Sequence, residues 1–419
     1  MAIIRRARAA WRAMAPATRH LVAARFWRSI SQGTLVVDLA LYLHALGWPG
    51  VAIGGVLSAG GFVGAALNLV VGVTSDRLRR KPFLLAYEGL TCVCAVVAMT
   101  TARPALLAVA IVLAGFGRGA GGAAGPFGPA EQAWLAEGVR PTDRGFVYSL
   151  NMAFGFTGMS LGALAAALPA LWTGALGHAG SFRPLFGLVL LGNAVNVVLL
   201  AATPEAHRSP SRLTAPVPAP AAVGRARENR FLLRMAGLNA LNGMAVGLTG
   251  PLVSYWFALR FHVGAHVIGP FMALTFAATA LSALIMARLT RRIGLVKGVV
   301  WGRSGGVLLL ILLPLMPVYV LAAAVYLLRS ALNRGSVGAR QALVVSVVAD
   351  ARRGFAASVN ALSMQVPQAI GPTLAGAMIG AGWFITPFYL AAVFQGVYVL
   401  LYGRVFGEIE QGVVDGNGD

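Results

Sequence analysis

The chain has 419 residues, of which 58% are hydrophobic and 11% are charged, and its formal net charge is +21. Soluble domains are about 45–50% apolar and about 25% charged, so this composition excludes an ordinary soluble protein and indicates a polytopic membrane protein. The basic residues lie in short stretches between apolar segments, without a basic face interleaved with aromatic side chains, which argues against nucleic acid as a partner.

The N-terminal residues are basic but lack the short apolar core and cleavage site of a secretory signal, so we expect a cytoplasmic tail over residues 1–29. Crossing the hydrocarbon of a bilayer takes about 20 mostly apolar residues. By this measure the chain contains twelve apolar segments, numbered 1 to 12 in chain order: 30–46, 51–74, 83–101, 105–130, 146–170, 184–203, 232–259, 266–287, 298–316, 318–345, 355–380 and 384–403.

These segments predict an N-terminal six-helix bundle over 30–203 and a C-terminal six-helix bundle over 231–405. The residues between them, 204–230, are rich in Pro and Ala and carry charges, which is typical of a linker. A short cytoplasmic tail follows at 406–419. Lys and Arg concentrate on one side of the predicted membrane, and the opposite loops carry Arg103, Arg183 and Arg260, so both termini are predicted to be cytoplasmic.

Residues 132–162 and 341–371 align without a gap at an offset of 209, half the chain length. Nine of these 31 positions are identical, including the pattern Arg-Gly-Phe-x-x-Ser-x-Asn that begins at Arg144 and at Arg353. A self-match over this period indicates a duplicated domain. Since each copy has six segments, both enter the membrane in the same direction. The sequence therefore predicts an all-α integral membrane fold, with twelve transmembrane helices in two parallel-repeat six-helix bundles.

Polar residues inside the apolar segments mark candidate functional positions, because a charge at the bilayer centre costs about 2.5–3.5 kcal/mol on insertion scales. Asp38 lies near the predicted midplane and shares one helix face with Ser31, Thr34 and Tyr42, so this stripe is expected to face water or a partner. Further candidates are Arg118 in segment 4, Asn239, Asn242, Thr249 and Trp256 in segment 7, and Arg329, Asn333, Ser336 and Arg340 in segment 10, with Glu88, Glu131 and Arg303 ranked second.

An approach of Asp38 to Arg118 or Arg329 would make its proton affinity a balance between burial and its cationic partner. Two interpretations remain open on the sequence alone. The carboxyl group is either a proton-coupling site that a substrate exposes by displacing the arginine, or one half of a permanent structural ion pair.

The loop after segment 2 reads GVTSDRLRRK from Gly72 to Lys81. It resembles the signature G-x-x-x-D-R-x-G-R-R of the major facilitator superfamily, with Arg79 in place of the second glycine. A weaker copy, ARLTRRIGLVK, begins at Ala287 and keeps the glycine but lacks the acid. Together with the twelve segments and the duplication, the resemblance covers nearly the whole chain.

The resemblance implies alternating access around a midplane cavity lined by the helices of segments 1, 4, 7 and 10, on which the polar stripes lie. It also implies a latch at the cytoplasmic face, in which Asp76 pairs with Arg144. The gating positions expected with it are Gly72, Arg77, Arg80 and Arg353. A simpler interpretation is that the basic run from Arg77 to Lys81 only enforces topology.

Two further patterns bear on the branch of the family. Arg118 is followed by glycines, as in segment 4 of the family. Segment 5 contains Gly158-x-x-x-Gly162 with Ala163 where antiporters have proline, and the Gly-Pro step stands in the second copy at Gly371. This departure weakens an assignment to drug efflux without affecting the fold.

The sequence thus predicts a secondary transporter in the cytoplasmic (inner) membrane that exports a small organic solute by proton coupling, with Asp38 as the proton and cation site. Its expected partners are the solute, protons and membrane lipid, and a monomer is expected. Uptake or facilitated diffusion is the alternative, of an anion if Arg118 and Arg329 outweigh Asp38, and a non-transporting receptor on the same fold is another. No nucleophile elbow, Walker A pattern or H-E-x-x-H motif occurs, so neither an enzyme nor a cofactor or metal site is predicted.

Overall fold

The computed structural model describes residues 14–74, 80–117, 131, 134–135, 139, 144–204, 222–335 and 353–415, and its regular elements there are helical. A short 3₁₀ turn spans Leu313–Leu315. The α-helices are α1 (Pro16–Ala45), α2 (Gly50–Thr74), α3 (Arg80–Thr100), α4 (Pro104–Ala114), α5 (Arg144–Ala165), α6 (Pro169–Gly180), α7 (Arg183–Ala202), α8 (Ala222–Thr249), α9 (Val253–Phe261), α10 (Ala265–Ile293), α11 (Leu295–Leu312), α12 (Tyr319–Gly335), α13 (Arg353–Gly380) and α14 (Thr386–Asp415).

Within the described residues, seven helical spans are long and apolar enough to cross a membrane, counting α8 and α9 as one. An eighth is the pair α5 and α6, which is bent by 64°. The apolar helix α4 has 11 residues, and the chain beyond it lies outside the described part. Each of the twelve predicted segments therefore coincides with a described helix over at least part of its length.

Two predicted segments are not continuous helices. Segment 7 divides into α8 and α9 at Gly250 and Pro251, because proline has no N–H to donate and disfavours helical geometry in the residue before it. Within segment 5, helix α5 ends at Ala165, and Pro169 opens a separate helix, α6, at a sharp angle. The apolar runs continue through both breaks, so hydropathy alone does not reveal them.

Several helices extend beyond their apolar segments. Helix α1 begins at Pro16 within the predicted tail, α8 begins at Ala222 within the predicted linker, and α14 continues to Asp415. Hydropathy marks only the part of a helix that meets lipid, whereas Ala, Arg and Glu favour helix in water as well. Parts of the predicted tails and linker are therefore helical.

The same helix pairs form the interior of each half. Helix α1 packs against α5 in the first half, as α8 packs against α13 in the second. The pair α3 and α7 corresponds to α11 and α14, and the pair α2 and α4 corresponds to α10 and α12. Equivalent pairings at equivalent positions in the chain are the structural counterpart of the sequence duplication.

The halves meet mainly through two helix pairs, α2 with α13 and α5 with α10, and α1 also contacts α9 and α10. Along the first pair, a Cβ on Gly54 would run into the carbonyl of Pro372, and Gly50 lies directly against Gly376. Close to these glycines, the Thr373 hydroxyl lies 2.7 Å from Ser58 Oγ. Small residues here let the two backbones touch, as they do at many helix interfaces in membranes.

Contacts between the halves extend along these helices and include the ends far from the termini, where Gly50 meets Gly376. In the second pair, Ser160 Oγ donates to the carbonyl of Ala273 at 2.9 Å. Where α1 ends and α9 begins, the His44 ring lies edge-on to Tyr255 at 5.3 Å. A hydrogen bond of 2.9 Å from Asn68 Nδ2 to Gln365 Oε1 lies further along α2. The two halves are therefore closed against each other at the face opposite the termini.

Substitution Gly54→Val tests this closure, with Gly55→Val as the matched control because a Cβ on Gly55 meets no atom within 4 Å. Overpacking typically costs about 1–3 kcal/mol, so we expect the closed arrangement to lose population by about 5- to 150-fold. The readout is labelling of Ser58→Cys by an impermeant maleimide from the predicted outer side, with Cys92 and Cys94 replaced by alanine. Equal labelling rates in the two variants would refute the closure at this interface.

Candidate functional site

The N-terminal half contains a buried charge cluster that connects three parts of the chain. Arg28 of α1 forms an ion pair with Glu88 of α3, with 3.3 Å between Nη1 and Oε1. Its other terminal nitrogen pairs with Glu131. All three side chains are buried, and Arg25, one helical turn earlier on α1, is buried as well. Buried charges of opposite sign in contact offset one another's desolvation, so the cluster fixes α1 against its neighbours.

Asp38 lies elsewhere in the same half and is 1% exposed. Neither of its carboxyl oxygens has a hydrogen-bond partner among the described residues. The expected pair between Asp38 and Arg329 is not formed in the structure, since Arg329 donates to Thr249 instead. The pocket around the carboxyl group is almost entirely apolar and is lined by Leu35, Leu39, Tyr42, Phe182, Leu185 and Phe186.

The polar stripe of α1 packs inside its own bundle. Ser31 Oγ donates to the carbonyl of Val189 on α7 at 3.3 Å, and Thr34 Oγ1 donates to the carbonyl of Gly162 on α5 at 3.0 Å. Tyr42 packs against the rings of Phe182 and Phe186. Of the two expected surroundings, water or a partner, the described structure shows protein partners: neighbouring carbonyls accept the hydroxyls of this face, and aromatic rings cover its outer end.

In the C-terminal half, the candidates of segment 7 bind to other helices of the same half. Asn239 Nδ2 donates to Asn360 Oδ1 on α13 at 2.8 Å. Asn242 Oδ1 accepts a hydrogen bond from Arg303 of α11, whose guanidinium lies 5.3 Å from the centre of the Tyr398 ring. Trp256 Nε1 donates to the carbonyl of Phe384 at 2.9 Å.

Helix α12 contributes Arg329, which is 8% exposed and lies close to the break in segment 7. Its Nη2 donates to Thr249 Oγ1 at 3.3 Å, and Thr249 is the last residue of α8. On the next turn of α12, Asn333 lies against Gly306 of α11. Arg329 is thus the candidate that the structure places at an irregular point of a transmembrane segment.

Glu88 and Arg303, which occupy equivalent places in the two sequence copies, have equivalent partners. Each connects the third helix of its half to the first, Glu88 through Arg28 and Arg303 through Asn242. In both halves the side chain at this position links the third helix to the first, although it is the acidic Glu88 in one half and the basic Arg303 in the other.

Several candidates lie at the edge of the described chain or outside it. Asp76, Arg77 and Arg118 are outside, as are Ser336 and Arg340 of the segment 10 stripe. Gly72, Arg80, Arg144 and Arg353 belong to described helices, but their surroundings are not described. The latch between Asp76 and Arg144 therefore stays a prediction.

Sequence reasoning missed the importance of Arg25 and Arg28. Both precede the apolar segment 1, so hydropathy places them in the tail, whereas α1 begins at Pro16 and carries them into the protein. The available signal was their spacing of three residues, which puts two cations on one helix face. Their acidic partners are far away in sequence, and no local pattern identifies them.

The protein has two six-helix halves, in which the same helix pairs recur. Small residues join the halves, and charges are buried inside each half. These features define a class of membrane transporter. Two stretches of the chain, residues 21–238 and 235–412, match the model of the Major Facilitator Superfamily. The chain belongs to this superfamily. It is a multi-pass membrane transporter of a small molecule, with twelve transmembrane helices in two six-helix bundles.

Solved structures of transporters share this fold at low sequence identity. The nucleoside transporter NupG is 14% identical with a TM-score of 0.69, over 93% of this chain and 99% of that one. The D-xylose-proton symporter is 15% identical with a TM-score of 0.70, over 92% and 96%. The human organic anion transporter MFSD10 (TETRAN) is 17% identical with a TM-score of 0.62, over 92% and 99%. No curated protein matches the sequence significantly.

Substitution Arg28→Gln would leave Glu88 and Glu131 buried without their shared cation. Breaking a buried pair by removing one partner costs about 3–5 kcal/mol. We therefore expect a clearly lower midpoint of thermal unfolding in detergent. The control is Arg103→Gln, at an exposed arginine, where a change within about 0.5 kcal/mol is expected. If both variants unfold at the wild-type temperature, the cluster does not stabilise the bundle.

Proposed function

We propose that this transporter moves a small organic solute across the cytoplasmic membrane by alternating access and couples the movement to protons. The observation that carries the proton coupling is Asp38, a buried carboxyl group without a partner among the described residues. In the membrane interior, an ionisable group of this kind marks function by default.

Alternating access is supported by how the halves meet. Most of the interface is formed by the helix pairs α2 with α13 and α5 with α10, which occupy equivalent positions in the two copies. Each half is also held together by its own polar contacts, such as Arg28 with Glu88 in one and Asn239 with Asn360 in the other. Two internally rigid bundles joined along a symmetric seam can rock as bodies about that seam.

Proton coupling is supported by the surroundings of Asp38. Its apolar pocket supplies no cation and no hydrogen-bond donor to the carboxyl oxygens. The proton occupancy of such a group depends on whether water or a cation reaches it. Since the pocket lies within the N-terminal half, coupling requires α1 and α7 to separate locally around Asp38 as the halves rock. The cluster of Arg28, Glu88 and Glu131 is already internally neutralised in part, which favours a structural role for it.

Export is the direction that we propose from the sequence, and uptake with protons is the alternative. One structural neighbour is named as a proton symporter, so both directions are compatible with this fold. The sign of the proton movement separates them: an exporter exchanges protons for solute, whereas a symporter moves both the same way.

The test uses the full chain reconstituted in liposomes with an internal pH dye. A proton gradient is imposed, and cationic, neutral and anionic solutes are added, including benzylammonium, benzamide and benzoate. We expect at least one solute in the panel to trigger proton movement in the wild type, and Asp38→Asn to abolish it because the amide cannot carry the proton. Asp415→Asn, the same change in the predicted cytoplasmic tail, should leave the flux unchanged.

If labelled solute crosses without proton movement, the coupling proposal fails and facilitated diffusion replaces it. If Asp38→Asn retains full proton flux, Asp38 is a structural residue and the coupling group lies elsewhere. If nothing crosses although a solute binds, transport itself fails for that solute and the receptor interpretation is favoured.

A further inference from the structure

We infer that the C-terminal half holds a binding site for a small organic carboxylate, formed by Arg329 and by the break in the helix between Thr249 and Val253. This inference rests on the proposed transport function and specifies the chemical class of its solute.

The charge distribution of the C-terminal half is the first argument. From Asn229 to Gly407 the sequence contains a single acidic residue, Asp350. Within this stretch, Arg303 and Arg329 are buried in the bundle. Two carboxylates compensate Arg28 in the N-terminal half, whereas Arg329 forms no ion pair with a carboxylate among the described residues. A buried cation without a carboxylate beside it is favourable to an anionic ligand.

Arg329 itself is directed at the helix break. Its Nη2 reaches the hydroxyl of Thr249, the final residue of α8, and its Nε has no hydrogen-bond partner in the described chain. Arg303 and Arg334 lie close enough to add positive potential at Arg329. The hydroxyl of Thr249 is a neutral acceptor at 3.3 Å, so most of the hydrogen-bonding capacity and all of the charge of the guanidinium remain available.

The break supplies a second element that favours negative charge. Helix α9 begins at Val253, four residues beyond Thr249, and Leu252 at its N-cap provides no side-chain capping hydrogen bond. The first N–H groups of a helix lack partners within the helix, and the helix dipole places partial positive charge there. In transporters, the N-termini of broken transmembrane helices face the anionic groups of substrates.

Ser254, in the first turn of α9, independently indicates a ligand. Its side chain is fully buried, and its hydroxyl has no hydrogen-bond partner among the described residues. Burying a hydroxyl without a hydrogen bond is unfavourable. An anion at this position would accept a hydrogen bond from it.

Helical register brings Ser254 and Arg329 to the same depth. Phe257 of α9 contacts the ring of Tyr326 on α12 at 5.9 Å between centroids. Ser254 lies three residues before Phe257 on the same face of α9, and Arg329 lies three residues after Tyr326 on the same face of α12. The two helices run in opposite directions. Going from Phe257 to Ser254 and from Tyr326 to Arg329 therefore leads in the same direction, towards the side of the protein on which the chain termini lie.

The ligand chemistry follows from these groups. One guanidinium with free donors binds a carboxylate in a planar, two-pronged geometry, and the helix N-terminus and Ser254 add donors for its oxygens. On the outer side the site is bordered by the rings of Phe257 and Tyr326. A carboxylate on a small apolar or aromatic body therefore fits best.

The experiment measures equilibrium binding of radiolabelled benzoate to the full chain in lipid nanodiscs, with benzamide and benzylammonium as competitors of the same size. We expect benzoate to bind at least about tenfold more tightly than either competitor. Arg329→Gln should weaken benzoate binding by about 10- to 100-fold, as expected for loss of a charged hydrogen-bond donor. Arg103→Gln should bind benzoate like the wild type.

Arg329→Lys provides a second variant in case the glutamine variant does not fold. It keeps the charge but loses the planar fork, so benzoate binding should weaken several-fold while the preference over benzamide persists. Ser254→Ala should weaken benzoate binding by a smaller factor. Wild-type binding in both Arg329 variants, or equal affinities for benzoate and benzamide, would overturn the inference.

The liposome assay separates this inference from the transport proposal. If benzoate binds through Arg329 but no solute crosses the membrane, the carboxylate site stands and transport fails. If a neutral or cationic solute drives flux and Arg329→Gln does not change its KM, transport stands and the carboxylate site is refuted.

Discussion

The cost of placing charge in a bilayer is the constraint on which the interior of this protein depends. The N-terminal half meets it with acids, since Arg28 lies between Glu88 and Glu131. The C-terminal half has nearly no acids, and Arg303 relies on an amide and an aromatic ring. Among the described residues, the first half is therefore compensated internally apart from Asp38, whereas in the second half the proposed solute would neutralise Arg329. Coupling and solute binding would then belong to different halves of the molecule.

The close contacts between the halves are a second consequence of the lipid environment. Without a hydrophobic force between helices, association depends on backbones approaching closely, and glycines on α2 and α13 permit this. Such contacts are lost completely when the helices separate by a small distance, because dispersion attraction falls steeply. An interface of this kind is compatible with the proposed alternating access, in which the halves separate and close again.

The duplication is imperfect at an informative place. Helix α1 runs without interruption through 30 residues, while its counterpart is divided into α8 and α9 at Gly250 and Pro251. The break exposes a helix N-terminus inside the membrane-spanning region, beside Arg329. The helix pairing is the same in both halves, whereas the sign of one buried charge and the continuity of the first helix differ. The broken helix, together with Arg329 and Ser254, is the feature from which the carboxylate site is inferred.

The sequence by itself determined the helical membrane class, the two copies of six helices and the family, because apolar length, the 209-residue repeat and the loop motif are all local or periodic signals. It also marked Asp38, Glu88, Arg303 and Arg329 as unusual, since any charge inside an apolar run is costly. Only the tertiary structure decided what each of them faces. Arg28 and Glu88 are 60 residues apart in sequence, and Asp38 lies beside the rings of Phe182 and Phe186. These contacts depend on the rotation and depth of each helix in the bundle. Those two quantities are set by packing against several neighbours at once, which no single stretch of sequence encodes.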